Sequence, residues 1–168
     1  LLKKMQDSGE KFFGEERDTE QGILSYDLAA ETFQHMANTE KDVRKKREHL
    51  RRKASMLMVQ SELHMENEDR ETAEANLKKV VEDLESIFES LEGTAILHAC
   101  VLLFQIKIYF NDLQSAAQYM KFMDNYDTEG KLEEGTEEHK ELKISSAKVK
   151  ATFDDREILT KENLKHFH

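Results

Sequence analysis

The chain has no proline and no tryptophan, and only one cysteine and six glycines among 168 residues. Without proline no helix is interrupted from within, and scarce glycine leaves few positions that favour a break. The β-branched and aromatic runs that a sheet needs are largely missing. Abundant Glu, Lys, Leu, Met and Ala instead predict helix nearly throughout. The lone Cys100 excludes an internal disulfide and points to a reducing compartment, the cytoplasm or the nucleus. No apolar run approaches the roughly twenty residues that span a bilayer. The richest, Ala95 to Phe110, is broken by His98, Gln105 and Lys107, so membrane insertion is not expected. Leu1-Leu2-Lys3-Lys4 does not read as a signal sequence, and the lack of an initiating Met predicts a piece of a longer protein. Hydrophobic residues make up a modest 38%, which suits an extended fold or one built for association.

The strongest positive signal is a recurrence. Ala29, Ala73 and Ala116 are each followed at i+4 by Phe33, Leu77 or Met120, and three places later by Met36, Val80 or Met123. The alanines stand 44 and 43 residues apart. A small and a larger apolar residue at i and i+4 share one helix face. Repetition at a near-constant interval predicts stacked helix pairs.

Periodicity divides the chain into six or seven helices. One is expected over 2–16 with Phe12 and Phe13, then a break near Asp18. A second follows over 20–36, burying Ile23, Tyr26, Ala30 and Phe33, with Leu24 and Leu28 widening the stripe. Asn38-Thr39-Glu40 reads as a turn into a long third helix over 40–66. There Leu50, Ala54, Leu57, Ser61 and His64 follow the 4-3-4-3 spacing of a coiled-coil seam. Asn67-Glu68-Asp69 is the next turn, and Ala73, Leu77, Val80, Val81, Leu84 and Phe88 face inward after it. Thr94 is expected to cap a central helix over 95–110 that is apolar nearly all round. Asn111-Asp112 turns into a sixth helix over 113–123. Beyond Asn125 the reading is an acidic loop followed by an ambiguous tail. Ala147, Val149, Ala151 and Phe153 alternate like a strand, whereas Leu159, Leu164 and Phe167 suit a short packed helix. The expected organisation is a repeat domain over 1–125 and an acidic loop with a capping or flexible segment over 126–168.

The segments Leu57 to Val80 and Cys100 to Met123 resemble tetratricopeptide repeats. On that resemblance Cys100 and Leu103 belong to a first helix. Ala116 matches the small residue of the second, Met120 the bulky one, and Met123 the last. Leu57, Ser61, Ala73, Leu77 and Val80 form the middle copy, and Phe13, Ala29, Phe33 and Met36 the first. The chain departs from the family in its longer interval, against a usual repeat of about 34 residues. It also lacks the family's tryptophan and proline. Phe104 stands at a normally small position, and His64 and Lys107 at the tyrosine place. Some members hold a partner's terminal carboxylate with Lys, Arg and Asn. The matching places include Lys11, Gly14, Asp18, Ser55, Met58, Glu62, His98, Val101 and Gln105, which are no such cationic set. The resemblance implies a right-handed stack of antiparallel helix hairpins that binds proteins.

Charge is unevenly distributed. Residues 41–53 hold eight cations against Asp42 and Glu48, a net +6 in a chain of net −10, leaving −16 elsewhere. Arg44, Arg47 and Arg51 share one helical face, with Lys45 and Arg52 beside it. Arg44, Arg47, Arg51 and Arg52 are therefore the candidate partner-binding residues, suited to an acidic protein segment. The plainer reading is a solvated face paired with nearby carboxylates. The surplus of negative charge and the absence of interleaved aromatics oppose nucleic acid.

Other constellations read as structure. Asn125, Asp127, Glu129 and Gly130 approximate a calcium loop, but Thr136 stands where the bidentate glutamate belongs, so an acidic turn is expected. Gly130-Lys131 lacks the upstream glycine of a nucleotide loop. His35, His49, His64 and His98 read as helix-face groups rather than metal ligands. His166 and His168 offer at most weak metal binding at a loose end. Cys100 has no base nearby in sequence, and Met56, Met58, Met120 and Met123 read as core or groove filler. No catalytic site, cofactor or metal is expected. The expected function is an adaptor or scaffold that binds a protein, with self-assembly of a helical bundle through the long charged helix as the alternative.

Overall fold

The computed structural model describes residues 16–166, with side chains described over 19–162, and it is all-α there. The six helices are α1 (Glu16–Thr39), α2 (Val43–Glu66), α3 (Arg70–Ile87), α4 (Gly93–Tyr109), α5 (Leu113–Thr128) and α6 (Glu137–His166). A single 3₁₀ turn, Phe88–Ser90, closes α3. The helix expected over 2–16, with Lys11, Phe12, Phe13 and Gly14, lies outside the described residues, as do His168 and the side chains of Asp18 and His166. The chain divides into two compact units after Ser90, while residues 125 and 126 lie inside α5.

In the first unit α2 packs against both α1 and α3. Its connections are residues 40–42 and 67–69, too short for anything but antiparallel neighbours. Tyr26, Ala29, Ala30, Phe33 and Ala37 of α1 meet Ala54, Leu57 and Leu63 of α2. Ala73, Leu77, Val80 and Leu84 of α3 complete the buried core. Two expectations fail here. The break at Asp18 is absent because α1 runs through it. Leu24 and Leu28 are 66% and 51% exposed, since both lie about 160° around the helix from Tyr26.

Two polar rungs cross this unit. Lys53 of α2 donates from Nζ to Gln34 Oε1 of α1 at 2.8 Å and to Asp83 Oδ2 of α3 at 3.1 Å. One heptad on, Gln60 donates to the Asp27 carboxylate and to the Ile23 carbonyl at 3.1 Å, and accepts from Asn76 Nδ2 at 2.8 Å. Lys53 and Gln60 are both buried. Each rung joins all three helices, so a slip of any one would strand a buried polar group.

In the second unit α4 packs against α5, and α6 packs against both. Ile96, Leu97, Ala99, Cys100, Leu103, Phe104, Ile106 and Ile108 of α4 are all buried, as its apolar circumference predicts. Thr94 is not its cap. The helix begins at Gly93, whose φ of +59° glycine adopts without strain and whose amide donates to Tyr126 Oη at 3.2 Å. The tail is neither strand nor short helix but one helix of 30 residues. The apparent alternation resolves at helical spacing: Val149 and Phe153 turn toward the core, Ala147 and Ala151 away from it.

The recurrence has a local cause. At the α2–α3 turn the amides of Asn67, Glu68 and Asp69 donate to the carbonyls of Leu63, Met65 and His64. At the α4–α5 turn Phe110, Asn111 and Asp112 donate to Ile106, Ile108 and Lys107, each pair 43 residues later. Glu68 and Asn111 both take left-handed backbone, with φ of 58° and 56°. Asp69 and Asp112 then cap the next helix by accepting from the amides of Thr72 and Ser115, both at 3.2 Å. Hydrogen bonds from the hydroxyl and amide of those residues hold both carboxyls below the ordinary aspartate pKa. One residue on, Ala73 and Ala116 are wholly buried, so the same turn, cap and alanine open the second helix of a hairpin in each unit. Ala29, by contrast, sits in the interior of α1.

Candidate protein interface

The basic run surrounds the start of α2. Asp42 caps that helix, accepting from the Arg44 amide at 2.9 Å, and no acidic residue occupies the first turn. The eight cations then have different fates. Lys53 is consumed in the core rung. Arg47, half-buried, donates to the Ser90 carbonyl at 3.4 Å. Arg51 and Arg52 both grip Glu48, from Nε at 3.0 and 3.2 Å. The Arg51 hydrogen bond, with smaller help from Arg52, holds the Glu48 carboxyl below its ordinary pKa against the opposing effect of partial burial. Lys41, Arg44, Lys45 and Lys46 remain exposed around the helix start, and Arg52 keeps a side chain 54% exposed.

Of the four predicted arginines, the structure leaves Arg44 and Arg52 at the surface, Arg52 paired with Glu48, and holds Arg47 and Arg51 half-buried against their own unit. Lys41, Lys45 and Lys46 join the exposed group. Their position is electrostatically unfavourable, because the positive end of the α2 dipole lies beneath them. Four exposed cations therefore surround a helix N-terminus whose cap is the Asp42 carboxylate.

Several other titratable groups pair within their own unit. Residues 125–128, the start of the calcium-like spacing, are helical, and the Asp127 carboxylate meets His139 Nε2 at 2.8 Å. His98 Nε2 lies 2.9 Å from Glu141, and His64 Nδ1 3.8 Å from Asp69. Among the described residues no three His, Cys, Asp or Glu are grouped to hold a metal ion. No helix among them is long and apolar enough to cross a membrane.

Cys100 donates from Sγ to the Tyr119 carbonyl at 3.3 Å, and burial pushes its thiol pKa up to about 12. At pH 8 the thiolate, the only form that attacks, is nearly absent. Cys100 is therefore expected to react with a thiol reagent at least about 100-fold more slowly in the folded chain than in urea. A stopped-flow colorimetric assay measures this, and equal rates would contradict the packing.

Comparison with protein-family models, with curated proteins and with solved structures finds no match to this chain.

The residues that sequence reasoning missed are those of the polar rungs. A signal was present: Asp27 and Gln34, Lys53 and Gln60, and Asn76 and Asp83 are each seven apart on three successive helices.

Proposed function

We propose that this chain is a non-catalytic protein-interaction module of tetratricopeptide-like helix hairpins, and that an acidic segment of its partner docks on the start of α2. One observation carries the reading: Lys41, Arg44, Lys45 and Lys46 stand exposed at the positive end of a helix dipole with no acidic residue in the first turn. A string of carboxylates relieves that repulsion, and attraction at this range steers its approach. The buried alanines after each capped turn agree with the tetratricopeptide reading, in which small residues let successive helices approach closely. Self-assembly through α2 is less favoured, because its inner face is covered by α1 and α3. Its outer face would meet a like charge in a second copy.

A fluorescent Asp/Glu-rich peptide is the direct probe. The wild-type chain is expected to bind it with an affinity that falls as salt rises. Arg44→Glu/Lys45→Glu/Lys46→Glu is expected to weaken binding at least about 10-fold with helicity unchanged. Equal binding by wild type and variant, or no binding by wild type at low salt, would overturn the assignment.

A further inference from the structure

The outer face of α6 carries an apolar pattern exposed to solvent; Lys140 at its N-terminal end has an exposed partner in its own unit, Glu137 at 3.5 Å. Leu142 and Val149 point into the core. On the opposite side lie Lys140, Ile144, Ala147, Ala151, Asp155, Ile158 and Glu162, all exposed, with Ile144 58% and Ile158 55% open to solvent. Their spacing reads the same in both directions about Ala151: four, three, four, then four, three, four. The two isoleucines stand seven residues to either side of it, and Lys140 and Glu162 eleven.

We propose that this face is a two-fold, antiparallel interface with a second copy of the chain, centred on Ala151. In that arrangement Ile144 of one copy meets Ile158 of the other, twice, and the two Ala151 methyl groups face each other. Small side chains at the axis let the helices approach closely enough for the isoleucines to interdigitate. Lys140 meets Glu162 at each end of the seam, and Lys148 lies on the same flank as the second copy's Asp155. A parallel pairing would instead set Lys140 against Lys140 and Glu162 against Glu162. Charge thus selects the antiparallel register, and the isoleucines supply the attraction. The seam spans about 33 Å of a single helix. Its area falls short of a standard stable interface, so the dimer is weak and reversible. It is independent of the basic band on α2. Each copy contributes one such band, so a dimer would engage two acidic segments with the benefit of linkage.

Sedimentation equilibrium of the full chain from about 1 to 300 µM tests the proposal. Wild type is expected to show a monomer–dimer equilibrium. Ile144→Glu/Ile158→Glu is expected to stay monomeric, its dissociation constant raised at least about 100-fold, with unchanged circular dichroism because both positions are exposed. Cross-linking fixes the geometry. Under mild oxidation Ala151→Cys should form a symmetric disulfide, and a mixture of Ile144→Cys with Ile158→Cys should cross-link. Ile144→Cys alone should not, since its two copies lie roughly 21 Å apart along the seam. Cys100, wholly buried, does not compete. A wild type that is monomeric throughout, a dimer that survives the double glutamate variant, or self-linking of Ile144→Cys would each overturn the proposal. Arg44→Glu/Lys45→Glu/Lys46→Glu should dimerise like wild type, so failure of acidic-segment binding and failure of this interface are told apart.

Discussion

Phe104→Ala is expected to weaken the C-terminal unit by about 3–5 kcal/mol, the cost of deleting a fully buried aromatic and leaving its cavity. Phe104 is 1% exposed on α4, among Leu97, Cys100, Leu103 and Ile108 on the same helix. Among the described residues of this unit Phe104 is the only buried aromatic, so a loss of this size exceeds much of what such a unit can spare. Hydrogen exchange of the α4 and α5 amides reads it directly, because it reports on this unit alone. Phe104→Leu should recover most of the loss. If Phe104→Ala costs under about 1 kcal/mol, the close packing around α4 is wrong.

Asp83→Ala is expected to destabilise the N-terminal unit more than Lys53→Met does. Removing the carboxylate leaves the Lys53 ammonium, only 10% exposed, with Gln34 as its remaining partner in the rung. That costs about 1–3 kcal/mol, toward the lower end because the Asp83 side chain keeps 29% of its surface in water. Lys53→Met removes the charge itself while an apolar stem of similar length fills the same space. Urea titration of both variants gives the order. The reverse order would mean that Lys53 reaches solvent and the rung contributes nothing to register.

Most of the helices could be read from the chain because local rules suffice for them. The apolar circumference of α4 demands burial on most sides, and eight of its residues are buried, with only His98 and Gln105 open to solvent. The 43-residue recurrence was visible in Ala73 and Ala116, and its cause is equally local: a left-handed residue, an aspartate cap, then an alanine. Where distant residues decide, periodicity could not. Lys53 looks like one more cation of a basic run until Asp83, 30 residues away, is placed opposite it. Leu24 and Leu28 look like core until Tyr26 and Phe33 set which side of α1 faces α2.

The α6 segment shows the same limit. Ala147, Val149, Ala151 and Phe153 satisfy a two-residue period over a short window, and only the packing of Leu142 and Val149 selects the helical period. The candidate interface was legible as a cluster and not as a list. Glu48 in the middle of the band engages Arg51 and Arg52, and the Ser90 carbonyl at its edge engages Arg47, which sets those three apart from Arg44. Neither partnership follows from charge counting. The exposed lysines at 41, 45 and 46 gain their importance from where the helix starts, which Asp42 fixes by capping it.

The hairpins depend on Ala73 and Ala116 being small, and that is measured most directly by enlarging them. Ala73→Leu and Ala116→Leu should each destabilise their own unit by about 1–3 kcal/mol, read by hydrogen exchange, because each methyl is wholly covered by a neighbouring helix. Ala75→Leu, on the exposed side of the same helix as Ala73, should change stability by less than about 0.5 kcal/mol. If leucine is accepted at both buried sites as readily as at Ala75, close helix approach at the capped turns is not what holds the hairpins together.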